Sequence, residues 1–346
     1  MWYFKAHFFD TFVFMILVTG GTGMVGAHLL LHLLEKEKKV KALKRKSSHL
    51  SITEKVFNYY EQSDLLKHIE WIDGDVQDIP SLELAMQGCE IVYHAAALVS
   101  FTTKDVKKML DINVQGTSNI VNVALGQNIK KLGYVSSIAA LSRYEDNDEV
   151  TEENYWKPNA KNSNYAISKY LSEQEVWRGI QEGLPAVIIN PSVILGPGDW
   201  NRGSAKIFQK VWEGLKYFSA GGTGYVDVVD VSKSLINLMD SEVINERYII
   251  NSENLLFRTV FDWIAEDLDK PKANIKVTPL LKEIVWRLEG IRCFFTRKTP
   301  LITKETANQA MAKMAYSNKK ISDFGFTHTP IRASIKKYSE WFLKEI

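Results

Sequence analysis

A short apolar run at residues 16–18 passes almost directly into three spaced glycines, Gly20, Gly23 and Gly26. Apolar residues then recur at the spacing of a helix: Met24, Val25, Leu29, Leu30, Leu33 and Leu34. A strand, a tight turn and a helix in this order form the first unit of a doubly wound, mostly parallel α/β sheet. The pattern therefore predicts a Rossmann-type fold that begins near residue 15.

The three spaced glycines would each have a separate role in a dinucleotide-binding turn. One glycine permits the sharp turn, one lets the backbone approach a pyrophosphate, and one lets the helix pack on the strand. The phosphates would then accept hydrogen bonds from free N–H groups at the helix N-terminus. A glycine-rich turn without a ligand is the alternative, but its place directly after a buried-type strand favours cofactor binding.

Further apolar runs repeat the strand pattern and leave room for a helix between them. We predict five more strands, at residues 40–46, 69–76, 91–97, 131–137 and 186–190. In the run at 91–97, the small residues Ala95 and Ala96 would let the backbone approach a cofactor. The Gly- and Pro-rich segment 196–200 breaks the pattern, and we place the exit from the nucleotide domain there.

Beyond this exit the chain is less regular. We predict helices at residues 206–215, 260–268, 280–290, 303–316 and 331–343, and a short strand at 225–231. The predicted organisation is a Rossmann domain over 15–198, to which 225–252 returns. Residues 199–224 and 253–346 would form a smaller, mostly helical substrate lobe.

Residues 1–14 are rich in aromatic side chains and lead straight into the first strand. They carry no basic n-region and no small-residue cleavage site, so they do not resemble a signal peptide. Because Met15 lies where the fold is expected to begin, we interpret 1–14 as an extension or as a start upstream of the native one. A short packing arm is the alternative.

Composition argues against several classes of protein. The 346 residues are 45% hydrophobic, enough for a large core, and the net charge of +2 does not favour a nucleic-acid partner. Two distant cysteines, Cys89 and Cys293, argue against a disulfide scaffold and indicate a reducing compartment, so we expect a cytoplasmic protein. No apolar run reaches the ~18 residues of a membrane span, and we expect no stable membrane insertion.

A basic cluster, Lys44, Arg45 and Lys46, ends the second predicted strand. In the NAD-binding form of this fold, an acidic residue about 20 positions past the glycines holds the ribose 2′-hydroxyl. Basic side chains suit a 2′-phosphate instead, so we predict NADP, with NAD as the alternative. A solvated basic loop would explain the same residues without a ligand.

Two pairs of residues carry the main candidate chemistry. Ser136 and Ser137 end a predicted strand at the ligand-binding edge of the sheet, and Tyr165 and Lys169 share one face of a predicted helix. Reduction of a carbonyl places negative charge on its oxygen, so such a site needs a proton donor. A free tyrosine has a pKa of about 10, and lowering it by ~3 units requires about 4 kcal/mol, for which Lys169 and the positive charge of an oxidised nicotinamide are the sources we consider. An exposed pair on a surface helix is the alternative.

Three histidines offer weaker candidate sites. His94 could act as a catalytic acid, but we favour a structural histidine at the end of a strand. His28 and His32 lie four residues apart on the first helix, yet no further metal ligand is close in the sequence. We therefore favour packing or solvent exposure for both, and we predict no metal site.

Seven short motifs lie at residues 19–26, 93–97, 113–117, 135–137, 165–169, 190–193 and 225–230. They run Thr-Gly-Gly-Thr-Gly-Met-Val-Gly, Tyr-His-Ala-Ala-Ala, Asn-Val-Gln-Gly-Thr, Val-Ser-Ser, Tyr-x-x-x-Lys, Asn-Pro-Ser-Val and Tyr-Val-Asp-Val-Val-Asp. In this order the chain resembles the extended short-chain dehydrogenase/reductase superfamily, which includes the NAD-dependent epimerase/dehydratase family. It is most similar there to dihydroflavonol-reductase-like and 3β-hydroxysteroid-dehydrogenase-like proteins, and is also similar to nucleoside-diphosphate-sugar epimerases.

The resemblance implies a catalytic group of Ser137, Tyr165 and Lys169, supported by Asn113, which would hold a water or backbone group that passes protons to Lys169. In the sugar epimerases the active position is one residue later, where this chain has Ile138. The implied cofactor contacts, together with those predicted above, are Gly20, Gly23, Met24, Val25, Gly26, Lys44, Arg45, Asp75, Val76, Ala95, Ala96, Tyr165, Lys169, Pro191 and Val193. The resemblance is compatible with a homodimer through the helix that bears Tyr165.

We therefore expect an NADP-dependent oxidoreductase that reduces a ketone or aldehyde, or oxidises a secondary alcohol, of a small organic substrate. A nucleoside-diphosphate-sugar epimerase or dehydratase with tightly bound NAD, and a non-catalytic NADP-binding sensor, are the alternatives. Residues at the start of the lobe predict either a roomy apolar pocket or core packing: Trp200, Arg202, Phe208, Trp212, Tyr217 and Phe218. The amphipathic stretch 280–295 predicts a lid over the pocket or, alternatively, a helix on a membrane surface.

Overall fold

The computed structural model describes residues 15–36, 38–141, 149–158, 162–281, 283, 286–287 and 310–346. The extension at 1–14, most of the amphipathic stretch 280–295 and residues 303–309 of a predicted helix lie outside this description. Within the described residues, no helix combines the length and the apolar character needed to cross a membrane.

The chain alternates strands and helices along its first half. The strands are β1 (Met15–Thr19), β2 (Lys39–Lys44), β3 (Ile69–Asp73), β4 (Cys89–His94), β5 (Lys131–Val135), β6 (Glu149–Val150), β7 (Ala186–Pro191), β8 (Val193–Leu195), β9 (Tyr217–Phe218), β10 (Gly222–Asp227), β11 (Glu246–Ile250), β12 (Glu253–Leu256), β13 (Ile275–Lys276) and β14 (Ala315–Tyr316). The α-helices are α1 (Met24–Glu35), α2 (Ser51–Tyr59), α3 (Ile79–Met86), α4 (Val106–Leu110), α5 (Gly116–Gly126), α6 (Asn164–Gln181), α7 (Lys206–Trp212), α8 (Val228–Met239), α9 (Phe257–Asp267), α10 (Lys319–Asp323) and α11 (Ile331–Leu343). A π-helical turn, Asp111–Gln115, joins α4 to α5, and short 3₁₀ turns occupy Ser63–His68, Thr103–Asp105, Ile138–Ala140 and Gly203–Ala205.

Seven parallel strands form the main sheet, in the order β11-β7-β5-β4-β1-β2-β3. Strands are added outwards in both directions from β1, which is the doubly wound arrangement. The predicted fold class is therefore confirmed. Because all seven strands run the same way, their carboxyl ends meet at one edge of the sheet.

Helices cover both faces of this sheet. On one face α1 and α8 bury Leu30, Leu33 and Leu235 against the strands. On the other face α3, α5 and α6 bury leucine, isoleucine and valine side chains such as Ile120 and Val176. Strands covered on both sides are apolar on both sides, which explains the continuous apolar runs in the sequence.

A smaller unit follows the main sheet. It contains a three-stranded sheet, β12-β10-β8, and a core shared by α7, α9 and α11. Trp200 and Phe208 are buried in that core, where the rings of Trp200 and Phe342 meet edge-on at 5.3 Å. The structure thus favours the core-packing interpretation for these two residues, whereas Tyr217 is 50% exposed.

Two predicted elements differ from the structure. The strand predicted at 225–231 ends at Asp227, whose carboxylate accepts a hydrogen bond from the Val229 N–H (2.8 Å) and so caps α8. The observed strand, β10, pairs with β8 in the small sheet. Within the segment 225–252, which we predict to return to the Rossmann domain, β11 joins the main sheet. The helix predicted at 303–316 ends in β14, which pairs with β6.

Residues in segment 329–338 donate hydrogen bonds to two carboxylates at the start of α8. Buried Asp227 accepts hydrogen bonds from the Tyr338 hydroxyl (2.7 Å) and from Ser334. Asp230, also buried, accepts hydrogen bonds from the Thr329 N–H (2.6 Å) and hydroxyl (3.0 Å). Segment 329–338 therefore satisfies two carboxylates that lie about a hundred positions earlier in the chain.

Candidate active site

The glycine turn after β1 is packed against the end of β4. Gly20 has φ +76°, and a Cβ at this position would lie 2.6 Å from the backbone of Ala95 and Ala96. A Cβ on Gly26 would lie 2.1 Å from the Gly20 carbonyl oxygen. Both positions therefore require glycine, one for its backbone conformation and one for the close packing of helix on turn.

The first turn of α1 leaves donors free for an anion. Gly23 caps the helix without a side-chain hydrogen bond, and the first turn contains no acidic residue. The opening N–H groups of a helix have no partner inside the helix. These features fit a pyrophosphate held by the backbone of Met24, Val25 and Gly26.

A Gly26→Ala substitution tests this cradle. The added methyl would force the Gly20 carbonyl to move, and we expect the affinity for dinucleotide to fall by about tenfold to a hundredfold. Gly126→Ala is the matched control, because nothing lies within 4 Å of a Cβ at that position. Fluorescence titration with NADPH measures both variants; equal affinity in the two would contradict the assignment.

The predicted basic cluster is only partly free. Lys44 pairs with Asp73 at neighbouring positions of β2 and β3, and this hydrogen bond holds the pKa of the Asp73 carboxyl below its usual value. Arg45 and Lys46 are exposed beyond the end of β2. The positive charge that remains available beside the glycine turn is therefore carried by Arg45 and Lys46.

Two more predicted cofactor contacts follow β3. Asp75 is partly buried, and its carboxylate accepts a hydrogen bond from the Gln77 N–H (3.0 Å). Val76 is buried against Gly116, and its carbonyl accepts a hydrogen bond from the Asn119 side chain (3.0 Å). Val76 thus packs in the core, and Asp75 is the more accessible of the two.

Ser137 and Tyr165 come together at the carboxyl edge of the main sheet. Ser137 follows β5 and caps the 3₁₀ turn at Ile138–Ala140, where its Oγ accepts from the Ala139 N–H (3.1 Å). Tyr165 lies in the first turn of α6, whose N-cap is Ser163. The Ser137 side chain lies close enough to the Tyr165 phenol to affect its pKa.

The Tyr165 phenol is in its protonated form. Burial raises its pKa above the usual value of 10, and the neighbouring Ser137 side chain acts in the opposite direction. The sequence predicts a pKa lowered by Lys169 and an oxidised nicotinamide together; in the protein alone, burial acts in the opposite direction. Phe101, which follows β4, packs edge-on against the Tyr165 ring with centroids 5.7 Å apart.

Lys169 lies one turn beyond Tyr165 and is 2% exposed. Its ammonium donates to the Val135 carbonyl (2.8 Å) and to the Tyr134 hydroxyl (3.1 Å). Burial lowers the pKa of Lys169 to about 7, with the nearby charge of Glu173 raising it. The lysine is therefore held on β5 and titrates near neutrality.

Asn113 lies in the π-helical turn between α4 and α5. Its side chain exchanges hydrogen bonds with the Leu98 backbone (2.7 and 2.9 Å) and donates to the Ser168 hydroxyl (3.1 Å). Ser168 in turn donates to the Tyr165 carbonyl (2.8 Å). Asn113 thus braces the loop after β4 and the helix of Tyr165, rather than contacting Lys169 through its side chain.

The last predicted contacts lie where β7 leaves the sheet. Pro191 ends β7 in register with Ile250, and Val193 opens β8 in register with Tyr225. Two glycines of the loop that follows, Gly196 and Gly198, approach the Met24 side chain closely enough that an added Cβ would touch it. The exit from the main sheet therefore passes over the start of α1.

The three histidines considered above are buried and hydrogen-bonded within the fold. The Thr117 hydroxyl donates to the Asn113 carbonyl, so it accepts from His94 Nε2 (3.0 Å), while His94 Nδ1 faces the Thr19 hydroxyl (2.7 Å). His28 donates to the Met24 carbonyl (2.8 Å), and His32 bonds to Ser232. Among the residues that the structure describes, no group of three potential metal ligands occurs.

Sequence patterns do not identify several residues that support the site. Tyr134 holds Lys169, Phe101 flanks Tyr165, and the buried Glu173 pairs with the partly buried Arg247 behind Ser136. The four-residue spacing from Tyr165 through Lys169 to Glu173 is the one signal that could have identified Glu173. Arg247 comes from β11, so its contact depends on the sheet order.

The chain is similar to known proteins in both sequence and fold. The sequence profile of the NAD dependent epimerase/dehydratase family matches residues 16–248. The chain is 30% identical over 338 residues to a putative dihydroflavonol 4-reductase of Synechocystis sp., covering 94% of this chain and 93% of the relative. It is 27% identical over 333 residues to sterol demethylase protein B of Methylococcus capsulatus, covering 94% and 97%. UDP-glucose 4-epimerase of Thermotoga maritima, solved with UDP-glucose, shares the fold with a TM-score of 0.74 at 20% identity, covering 96% of this chain and 99% of that one.

Proposed function

Because the chain belongs to the NAD-dependent epimerase/dehydratase family of extended short-chain dehydrogenases/reductases, we propose that it reduces a ketone or aldehyde of a small organic molecule with NADPH. Membership in the family makes it an NAD(P)-dependent enzyme of the oxidoreductase type. The choice of NADPH, the carbonyl substrate and the roles of individual residues are the content of the proposal.

The observation that carries the proposal is the grouping of Ser137, Tyr165 and the buried Lys169 at the carboxyl edge of the sheet, where Lys169 is held by the end of β5. A carbonyl oxygen that gains an electron pair needs a proton, and a phenol of raised pKa still holds one at neutral pH. A ligand at this edge lies where open α/β sheets bind their substrates. This arrangement favours Tyr165 as the acid of a reduction.

The roles of the side chains follow from their chemistry. When bound, the nicotinamide supplies the hydride that the carbonyl carbon accepts. The Ser137 hydroxyl donates a hydrogen bond to the carbonyl oxygen and polarises it, and Tyr165 transfers its proton to that oxygen. Lys169, one turn away, stabilises the phenolate that Tyr165 becomes.

Arg45 is the residue we assign to the 2′-phosphate of NADPH. It is exposed beyond β2, and the adjacent Lys44 is paired with Asp73. We expect Arg45→Glu to weaken NADPH binding by about tenfold while NADH binding changes little, because only NADPH carries the extra phosphate charge. Isothermal titration with both cofactors measures this, with Lys344→Glu, another exposed basic residue, as the control. Equal weakening of NADPH and NADH would contradict the role.

A sugar-nucleotide epimerase is less compatible with the site. The position at which those enzymes carry their active residue is here Ile138, an apolar residue that is 8% exposed within a 3₁₀ turn. The sensor alternative leaves the buried Lys169 and the linked Ser137 and Tyr165 side chains without a role. These observations support reduction over both alternatives, while the homodimer through α6 stays a prediction.

The proposal is tested by NADPH oxidation, followed at the nicotinamide absorbance, across a panel of ketones, aldehydes and sugar nucleotides. We expect turnover with at least one carbonyl compound and cofactor that exchanges freely with solution. Cofactor that co-purifies tightly, together with sugar-nucleotide epimerisation and no net NADPH oxidation, would establish the epimerase alternative instead. Binding of NADPH without turnover of any substrate class would favour the sensor.

A further inference from the structure

Glu173 is a buried carboxylate with a full set of donors. It lies on α6, one turn beyond Lys169, and is 1% exposed. One oxygen accepts from the Ser136 hydroxyl (2.6 Å) and the Asn190 amide (2.8 Å). The other accepts from the Trp177 indole (3.3 Å) and the Arg247 guanidinium (3.2 Å).

This network reaches the candidate active site through the backbone. The Asn190 amide that binds Glu173 also donates to the Ser137 carbonyl (3.0 Å). Ser136, the residue before Ser137, is held by Glu173 through its hydroxyl and by the Ile189 carbonyl through its N–H (2.8 Å). The Ser136 hydroxyl and the Asn190 amide both bind the Glu173 carboxylate, and together they hold the backbone of Ser137 in place.

Arg247 anchors the other end of the network. It comes from β11, and its guanidinium donates to the carbonyls of Glu152 and Asn154 (2.9 and 3.0 Å) as well as to Glu173. The guanidinium is partly buried, so the ion pair lies at the boundary between core and surface. A buried carboxylate is retained at low cost only when it is paired and hydrogen-bonded, as Glu173 is.

The charge of Glu173 also acts on Lys169. Four titratable groups surround the ammonium: Tyr134 on β5, His94 on β4, and Tyr165 and Glu173 on α6. His94 is neutral, because burial lowers its pKa to about 3, and both tyrosines keep their protons. Glu173 is therefore the negative charge among these four, and it raises the pKa of Lys169 against the effect of burial.

We propose that Glu173 is a positioning residue of the reaction, which fixes Ser137 through Asn190 and Ser136 and keeps Lys169 in its charged form. This inference rests on the roles proposed above for Ser137, Tyr165 and Lys169. It assigns the two effects to different contacts of one side chain. The hydrogen bonds set geometry, and the charge sets the pH range in which the lysine is an ammonium.

The charge is tested by the pH dependence of carbonyl reduction. Reduction needs the ammonium, so kcat should fall as the pH rises through the pKa of Lys169, about 7. We expect Glu173→Gln to move this basic limb to lower pH by about one unit. If the single variant does not fold, the double variant with Glu173→Gln and Arg247→Gln replaces it, because the double variant leaves no unpaired ion of this pair. Its basic limb should shift in the same direction.

The hydrogen bonds are tested by Asn190→Ala. This variant keeps the Glu173 charge, so its basic limb should stay in place while kcat falls about tenfold or more. NADPH affinity, measured by fluorescence titration, should be unchanged in both Asn190→Ala and Glu173→Gln. Glu175→Gln, two residues along α6 in a surface pair with Arg178, is the matched control and should behave as wild type.

The outcomes separate this inference from the proposed function. A basic limb that stays at the wild-type pH in Glu173→Gln and in the double variant, while Tyr165→Phe is inactive, overturns the charge role alone. An unchanged kcat in Asn190→Ala overturns the positioning role alone. Retained activity in Tyr165→Phe overturns the acid role of Tyr165, and the absence of NADPH oxidation with every carbonyl compound overturns the proposed function itself.

Discussion

A Tyr165→Phe variant is expected to reduce carbonyl compounds about a thousandfold more slowly while it binds NADPH with unchanged affinity. The substitution removes the phenolic hydroxyl and hence the proton donor. The ring that remains can keep its edge-on contact with Phe101 at 5.7 Å, so the helix should stay in place. The loss is large because Tyr165 is the group that the proposal assigns to protonate the carbonyl oxygen.

Tyr170→Phe is the matched control for this experiment. Tyr170 lies on the same helix, and its ring stacks on Trp156 at 4.5 Å, away from the Ser137 contact. Steady-state kinetics on a substrate found in the NADPH screen, with thermal unfolding of both variants, gives the comparison. If Tyr165→Phe retained more than about a tenth of wild-type kcat, the acid would have to be another group.

Stability is expected to fall by about 4 kcal/mol between pH 7.5 and pH 5.5 through three histidines alone. Burial lowers the pKa of His28 to about 4, of His32 to about 3 and of His94 to about 3, from an ordinary value of 6.5. These side chains stay neutral in the folded protein, whereas the unfolded chain takes up a proton at each below pH 6.5. Their contribution is present in full above pH 6.5 and is lost as the pH falls towards 4, at roughly 1.4 kcal/mol per histidine by pH 5.5.

Denaturant unfolding at the two pH values measures this loss directly. A His32→Asn variant removes one of the three groups, so its free energy of unfolding should change with pH by about one third less than that of the wild type. His68→Gln is the control, since His68 is exposed and its replacement should leave the pH dependence unaltered. A wild-type protein equally stable at both pH values would show that these histidines are not held neutral.

The parts of the fold that the sequence predicts correctly follow from local patterns. The run at residues 16–18 and the glycines after it specify a strand, turn and helix whatever the rest of the chain does. Tyr165 and Lys169 share a helix face because their spacing is four residues. Parallel strands then bring the ends of β1, β4, β5 and β7 to one edge, so Gly20 and Ser137 could be assigned to the same region in advance.

The remaining features depend on partners that are distant in the chain. Lys169 could be placed beside Tyr165, but its bonds to Val135 and Tyr134 need the register of β5 against α6. The alternating pattern at 225–231 continues through Asp227, and only the capping bond to Val229 shows where the strand stops. Trp200 is equally compatible with a pocket wall or a core until Phe342 is known to lie against it.

The contacts of segment 329–338 with α8 bear on how the chain acquires its structure during synthesis. Tyr338 is separated from its acceptor, Asp227, by 111 positions, and Thr329 from Asp230 by 99. During synthesis on a ribosome, α8 is therefore made before these donors, and its two carboxylates lack these hydrogen bonds until segment 329–338 has been added. A gene that ended after β11, the last strand of the main sheet in the chain, would leave the same two acids without those donors, so such a fragment is a poor candidate for autonomous expression.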